Sequence, residues 1–571
     1  MTLKKKRIKG AATWTFDRIS DADTLVLDTD ELNIDSVISD NGKKTEFLVM
    51  PAVPMQGAAL KIPISPGSRS ATIYYSTQYN EADTFAALQW LEPSQTFGKK
   101  QPYLFTKSEP TMSRCWIPCQ DLPSVKITYT ADITVPKGLM ALMSAANPQE
   151  KNPEGRYHFE MKQPVPVYLV AMAVGDIEFK AIDEQTGVYT EPSMLDKCQS
   201  ELQELPAMMQ SAQKLIGPYQ WERYDVLVLP LGFPIGGMEN PRLTFSTPTI
   251  IAGDRSLVAL IAHELAHSWS GNQVTNATWD DLWINEGFTV YFERRIMEDI
   301  RGKEYADMLW TIGKQDLDYS IQKLGAKSGM TKLKLNLEHM SPLESFSDVA
   351  YEKGAYFLWS VEQTVGRPAF DSFLRYYFDK YAFKSVSTEK FIEELEDQLL
   401  SKNKKWGEQV NYIEWIFNPG IPANCPQPGN VRFGAVDQQR AAFEASKNVA
   451  DLNTGEWSTH EWLHFLRNLS SQVTAVDMRA LDQEFRITGT GNSEIACAWY
   501  QQAIRKNYTQ AYGALEKFLI NTGREKFLEP LYEELVQNRA TQGLAAKIFE
   551  KAKNNYHPIV RQNMYLIVQH I

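Results

Sequence analysis

The sequence predicts a multidomain α+β protein with an all-β N-terminal domain, a mixed central domain and an α-helical C-terminal domain. Three observations carry this. At 571 residues with 43% hydrophobic content, the chain exceeds what one core holds. Short alternating runs give way to helical spacing near residue 190. Four prolines, Pro419, Pro422, Pro426 and Pro428, then interrupt the chain before a wholly helical end. The expected boundaries are 1–185, 186–418, a linker at 419–435, and 436–571.

In the first part, Leu25–Leu27, Ala71–Tyr75, Val125–Thr130 and Val167–Met172 read as strands, with Pro136, Pro164 and Pro166 at their edges. Leu202, Leu205, Met209, Ala212, Leu215 and Ile216 then trace a helix, in which Pro206 predicts a kink. Tyr224–Leu229 is a compact strand, and Phe233–Pro241 a loop running into an extended edge. Its paired glycines, Gly236 and Gly237, permit close backbone approach, so a peptide could pair with this segment. Residues 287–418 read as mostly helical and rich in aromatics. Past the prolines, Trp462, Leu463, Leu466 and Leu469, then Tyr512, Leu515, Phe518 and Leu519, then Leu544, Ile548 and Phe549 mark successive amphipathic helices.

Composition excludes several classes of function. The formal net charge of −11 and the scattered lysines argue against a nucleic-acid surface. No apolar run approaches a membrane span. Five cysteines, Cys115, Cys119, Cys198, Cys425 and Cys497, are too few and too scattered for a disulfide framework. Met1 to Lys9 is basic like the start of a signal peptide, but Gly10–Phe16 is too polar and short for its apolar core. A cytoplasmic enzyme is expected, with export as the alternative if a segment precedes this one.

The chemistry concentrates at His263-Glu264-Leu265-Ala266-His267 and, downstream, at Glu286 in Trp283-Ile284-Asn285-Glu286-Gly287. On a helix, residues four apart share a face, so His263 and His267 can offer their imidazoles to one metal ion while Glu264 points beside it. The alternative is an amphipathic helix with solvated histidines. Against that, only eight histidines occur in the chain, yet two stand at this spacing. A second helix could bring Glu286 as third ligand. Three protein ligands with an open position is the pattern of catalytic zinc.

Gly236-Gly237-Met238-Glu239-Asn240, this metal motif, and Tyr351-Glu352-Lys353-Gly354 together resemble the alanyl-aminopeptidase and leukotriene-hydrolase family of zinc metallopeptidases, closest to the leukotriene-hydrolase branch. The resemblance extends to Pro102–Phe105, Pro118–Asp121 and Ala141–Ala145. It implies a β-saddle N-terminal domain, a thermolysin-like catalytic domain and an α-helical C-terminal domain, with one Zn2+ per chain. His263, His267 and Glu286 would hold zinc, Glu264 would be general base and Tyr351 would stabilise the intermediate. Glu239 and Glu109 would bind the free amine. Gly236 and Gly237 would touch the peptide backbone, with Met238 in the same substrate-binding segment. Arg524 and Lys526 resemble the basic pair that holds a short substrate's carboxylate. The implied partners are short peptides with a free N-terminus, not nucleic acid or membrane.

Two departures bear on activity. Leukotriene-hydrolysing members carry a second tyrosine and an aspartate where an ungapped reading here places Phe346 and Leu343. That disfavours epoxide hydrolysis, and any taste for arginine that depends on the aspartate. The family's first strands also look partly missing ahead of Lys4. A non-catalytic peptide-binding protein is the other alternative, but it would be expected to have lost Glu264 or a ligand.

Overall fold

The computed structural model describes residues 5–79 and 87–569. Met1 to Lys4, the start of the basic segment, lie outside them. Two antiparallel sheets open the chain. One runs Lys9–Thr15, Ser70–Ser76, Asn33–Ser39, Lys44–Thr45, and the other Thr24–Thr29, Ala58–Pro63, Leu48–Val49. Lys9–Thr15 alternates exposed and half-buried residues along its length, as a strand with one covered face must. Leu27, Val37, Leu60, Ile62, Ala71, Ile73 and Tyr75 fill a small core of their own.

A further sheet, Met140–Met143, Met172–Gly175, Tyr103–Thr106, Leu88–Leu91, is buried throughout. Its apolar residues join the central region's core without interruption. The next sheet is mixed, in the order Glu178–Ala181, Thr186–Thr190, β1 (Tyr224–Val228), β3 (Leu243–Ser246), β2 (Gly237–Met238). β2 is its edge strand and pairs antiparallel with β3. Helix α1 (Ala259–Ala266) packs against β2 and β3, α2 (Leu282–Arg301) packs against α1, and α3 (Lys303–Leu324) and α4 (Gly354–Val365) pack against α2.

Two expectations are corrected. Of the run Val167–Met172 only Met172 lies in a strand, because Val170 N donates to Val167 O at 2.9 Å and closes a turn. All its side chains are buried, and a short apolar run suits a buried turn as well as a strand. Nor does Pro206 kink a helix. The helices Leu195–Glu201 and Leu205–Ile216 are separate, and Pro206 sits in the second one's first turn, where its missing N–H has no intrahelical partner to lose. The proline-rich segment carries no helix or strand from Asn418 to Asn430, and a helix starts at Val431, inside the stretch read as linker. The remaining helices build a second large core around Phe465, Trp499, Leu528 and Tyr532. No helix among the described residues is long and apolar enough to cross a membrane.

Candidate active site

α1 is short and apolar, with Ile261, Ala262, Leu265 and Ala266 buried. It carries His263 and Glu264, and His267 is its C-cap. α2 packs against it and delivers Glu286. His263 Nε2 and His267 Nε2 lie 3.2 Å apart, and Glu286 Oε2 lies 3.5 Å and 3.4 Å from them. Glu286 Oε2 is buried without a hydrogen-bond donor. Three ligand atoms converging in a dry place, one of them orphaned, fit a bound cation, and a two-histidine, one-carboxylate set is a zinc set.

Each imidazole is aimed from behind. His267 Nδ1 donates to Ser270 O at 3.0 Å, leaving the Nε2 lone pair free for metal, and Thr289 Oγ1 stands 3.1 Å from the same nitrogen. His263 Nδ1 donates to Glu293 Oε2 at 3.2 Å. Such outer partners fix ring orientation and raise ligand basicity. Glu293 was not singled out from sequence. The signal was there, since it lies seven residues after Glu286, on the same helix face.

Glu264 is buried, and its carboxylate lies against β2: a Cβ at Gly237 would fall 2.0 Å from Glu264 Oε1. Burial pushes its pKa up to about 7, with His263 and His267 pulling the other way. Tyr351 stands in a π-helical turn, Val349–Lys353, its ring parallel to that of His263 at 6.3 Å. Burial, then Glu286, Glu109 and Glu239, hold its phenol well above the ordinary range, so it stays a donor. The turn is pinned on both sides. Arg294 Nη2 binds Glu352 at 2.6 Å, and buried Lys353 donates to Thr331 O at 2.8 Å and Asn418 O at 2.9 Å.

His263, Glu264, His267, Glu286 and Tyr351 line one cleft of ≈620 Å³ together with Glu239 and Glu109. Both carboxylates are buried, 4% and 6% exposed, and in each Oε1 has no donor. Burial raises both pKa values; Glu286 adds to the effect on Glu239, and Glu239 and Glu286 to that on Glu109. A cation placed between them would relieve that. Met238 is buried in β2, and Asn272 Nδ2 donates to Glu239 O at 2.7 Å. Phe346 and Leu343 face the same cleft, so the ungapped reading places them where a hydroxyl and a carboxylate are missing.

Arg524 and Lys526 line the same cleft, where sequence missed a competitor. Lys526 Nζ binds Glu494 Oε1 at 2.7 Å, with Arg524 Nη1 3.7 Å away from it. Although burial alone would raise the Glu494 pKa, Lys526 and Arg524 hold it down at about 2. Arg524 overhangs Gly236, where a Cβ would meet its Nη2 at 2.8 Å.

The description "Peptidase family M1 domain" matches residues 201–417, "Peptidase M1 N-terminal domain" residues 1–169, and "Leukotriene A4 hydrolase, C-terminal" residues 457–567. Leucine aminopeptidase 2 of Chaetomium globosum is 35% identical over 550 residues, covering 94% of this chain and 90% of its own. Leukotriene A-4 hydrolase of Xenopus laevis is 36% identical over 556 residues, again covering 94% and 90%. The solved structure of yeast LTA4 hydrolase in complex with bestatin superposes with a TM-score of 0.92 at 33% identity, over 100% of this chain and 94% of that one. Matched from its N-terminal sheets to its last helices, and holding a zinc-type ligand set in the matched centre, the chain belongs to peptidase family M1 as a zinc metallopeptidase with the leukotriene A4 hydrolase type of C-terminal domain.

Proposed function

We propose that the protein is a zinc-dependent aminopeptidase that removes N-terminal residues from short peptides. The observation that carries this is two buried carboxylates, Glu239 and Glu109, each with an oxygen that has no donor, in the same cleft as the three-ligand site. A free ammonium answers them, whereas an internal amide would leave them unpaired and costly.

His263, His267 and Glu286 would hold the metal. Zinc bound there supplies an acidified water, its pKa brought from about 15.7 to about 7, and a Lewis acid for the scissile carbonyl. Glu264 takes a proton from the attacking water on its carboxylate as the C–O bond forms, then passes it to the departing nitrogen as the C–N bond breaks. The Tyr351 hydroxyl donates to the carbonyl oxygen as negative charge grows on it. Gly236, Gly237 and Met238 offer an open sheet edge along which a peptide backbone can lie. Arg524 holds the far carboxylate more readily than Lys526, whose ammonium Glu494 already engages. Epoxide hydrolysis has less support, since Phe346 offers no hydroxyl and Leu343 no carboxylate. A cytoplasmic location is the reading that the free thiols of Cys119, Cys198, Cys425 and Cys497 support.

The test is steady-state hydrolysis of aminoacyl anilides and their N-acetylated twins, by wild type and Glu264→Gln, with metal analysis. We expect release from free-amine substrates only, and a fall in kcat of about a thousandfold or more in the variant with zinc retained. Equal turnover of the acetylated twins would overturn the amine-anchor assignment, and an active Glu264→Gln the general-base assignment.

A further inference from the structure

Lys107 is a cation that this chemistry does not use, yet it lines the cleft beside Glu109. It follows directly on the buried strand Tyr103–Thr106, and its Nζ donates to Glu109 O at 2.9 Å, which ties the ammonium beside the carboxylate pair. Burial draws its pKa down, opposed by Glu109, Glu239 and Glu525.

With its amine between Glu109 and Glu239, a peptide brings its first side chain into a cleft whose lining includes Lys107, Pro110, Ile235, Leu343 and Phe346. Four of these five are apolar. The wall continues behind Phe346 as Trp279, at 5.9 Å, and Tyr168 beyond it, at 5.2 Å. Lys107 already stands against Glu109 and Glu239, and the incoming amine joins it there. Glu525, the other carboxylate facing Lys107, accepts from Asn563 Nδ2 at 2.6 Å. A first residue that is itself lysine or arginine would bring a third cation among apolar side chains, beside an ammonium of like sign. Such a charge is expensive to bury.

Resting on the aminopeptidase reading above, we propose that Lys107 is a specificity-determining residue. Its ammonium shuts cationic first residues out of the cleft, and the enzyme selects uncharged, apolar ones. The contact that holds Lys107, a main-chain carbonyl of the residue whose carboxylate receives the amine, makes the two recognitions parts of one arrangement.

The test is kcat/KM of the zinc-loaded full chain on leucine, methionine, lysine and arginine anilides, for wild type, Lys107→Met, Lys107→Gln and Lys107→Arg. The readout is the arginine-to-leucine ratio, because damage to packing slows both substrates alike. Wild type is expected to favour leucine by about a hundredfold, and both neutral variants to raise the ratio about tenfold or more, as removal of a close like charge in a poorly solvated site should. Lys107→Arg, which keeps the charge, should hold the wild-type ratio. A wild type that cleaves arginine as readily as leucine, or an unchanged ratio in both neutral variants that still hydrolyse leucine, overturns the role of Lys107 and leaves the aminopeptidase reading standing. Failure of wild type to release any free-amine residue overturns that reading itself, and this one with it.

Discussion

Gly237 marks how little room the Glu264 carboxylate, our proposed proton carrier, has. A methyl group there would overlap Glu264 Oε1 at 2.0 Å and its Cγ at 2.7 Å, so the side chain would have to swing away from the cleft. We expect Gly237→Ala to lower kcat about a hundredfold, since displacing a reacting group by an ångström costs that order. Zinc content should be unchanged, because no ligand is touched; full activity in a correctly folded variant would contradict the placement of Glu264. At this scale the sequence was informative where covalent spacing sets geometry. His263, Glu264 and His267 fall within five residues of one helix, and Glu239 follows its glycines after a single residue, Met238. It was silent where partners meet through space: Glu494 lies some thirty residues from Lys526 and from Arg524, and no periodicity links them. Lys107 escaped for another reason. A lone lysine after a strand looks like a solvated end until the fold turns it inward.

At the scale of elements, α2 and α4 cross so closely that their backbones touch. A Cβ on either Gly287 or Gly354 would lie 2.8 Å from the other's Cα. These glycines end the two motifs that hold Glu286 and Tyr351, which explains why the motifs read Asn-Glu-Gly and Tyr-Glu-Lys-Gly. Gly354→Ala must part the helices, at about 1–3 kcal/mol for overpacking of this kind. We expect a lower unfolding midpoint together with faster zinc loss to a chelator, because Glu286 moves with α2. A variant less stable but with unchanged zinc retention would separate the two effects and refute the linkage. The helical and extended character of most segments was legible from periodicity. The turn at Val167–Leu169 was not, since burial on all sides erases the alternation that distinguishes strand from turn.

Across the whole molecule, the cleft draws on every large part of the chain: Glu109 from the N-terminal sheets, the metal helices from the centre, and His460, Glu494 and Arg524 from the C-terminal helices. The attachment of that last part can be titrated. His460 sits against the ring of Tyr305 in α3 at 5.1 Å, with Nδ1 buried and unpartnered. Burial lowers its pKa to about 4, despite Glu494 pulling it up. The folded state therefore refuses a proton that the unfolded chain accepts near pH 6.5, and stability is lost as pH falls from about 6.5 towards 4, by up to roughly 3 kcal/mol at 1.4 kcal/mol per unit. His460→Phe should flatten that acid limb in denaturation measured at pH 7.5 and pH 5, whereas an identical pH dependence in the variant would refute it. The order of domain textures could be read along the chain. How the core is divided could not: the apolar residues from Ala87 onward share the metal helices' core, while the C-terminal helices keep their own.

That division of the core sets the walls of the cleft on two separately packed blocks. Glu109 follows a strand packed into the same block as His263. Glu494 and Arg524 belong to helices joined to that block by contacts such as Lys323–Glu529, Arg467–Asp316 and Glu525 N to Pro234 O. Two of those contacts are exposed ion pairs, so salt weakens this junction before it reaches the largely buried His263, His267 and Glu286.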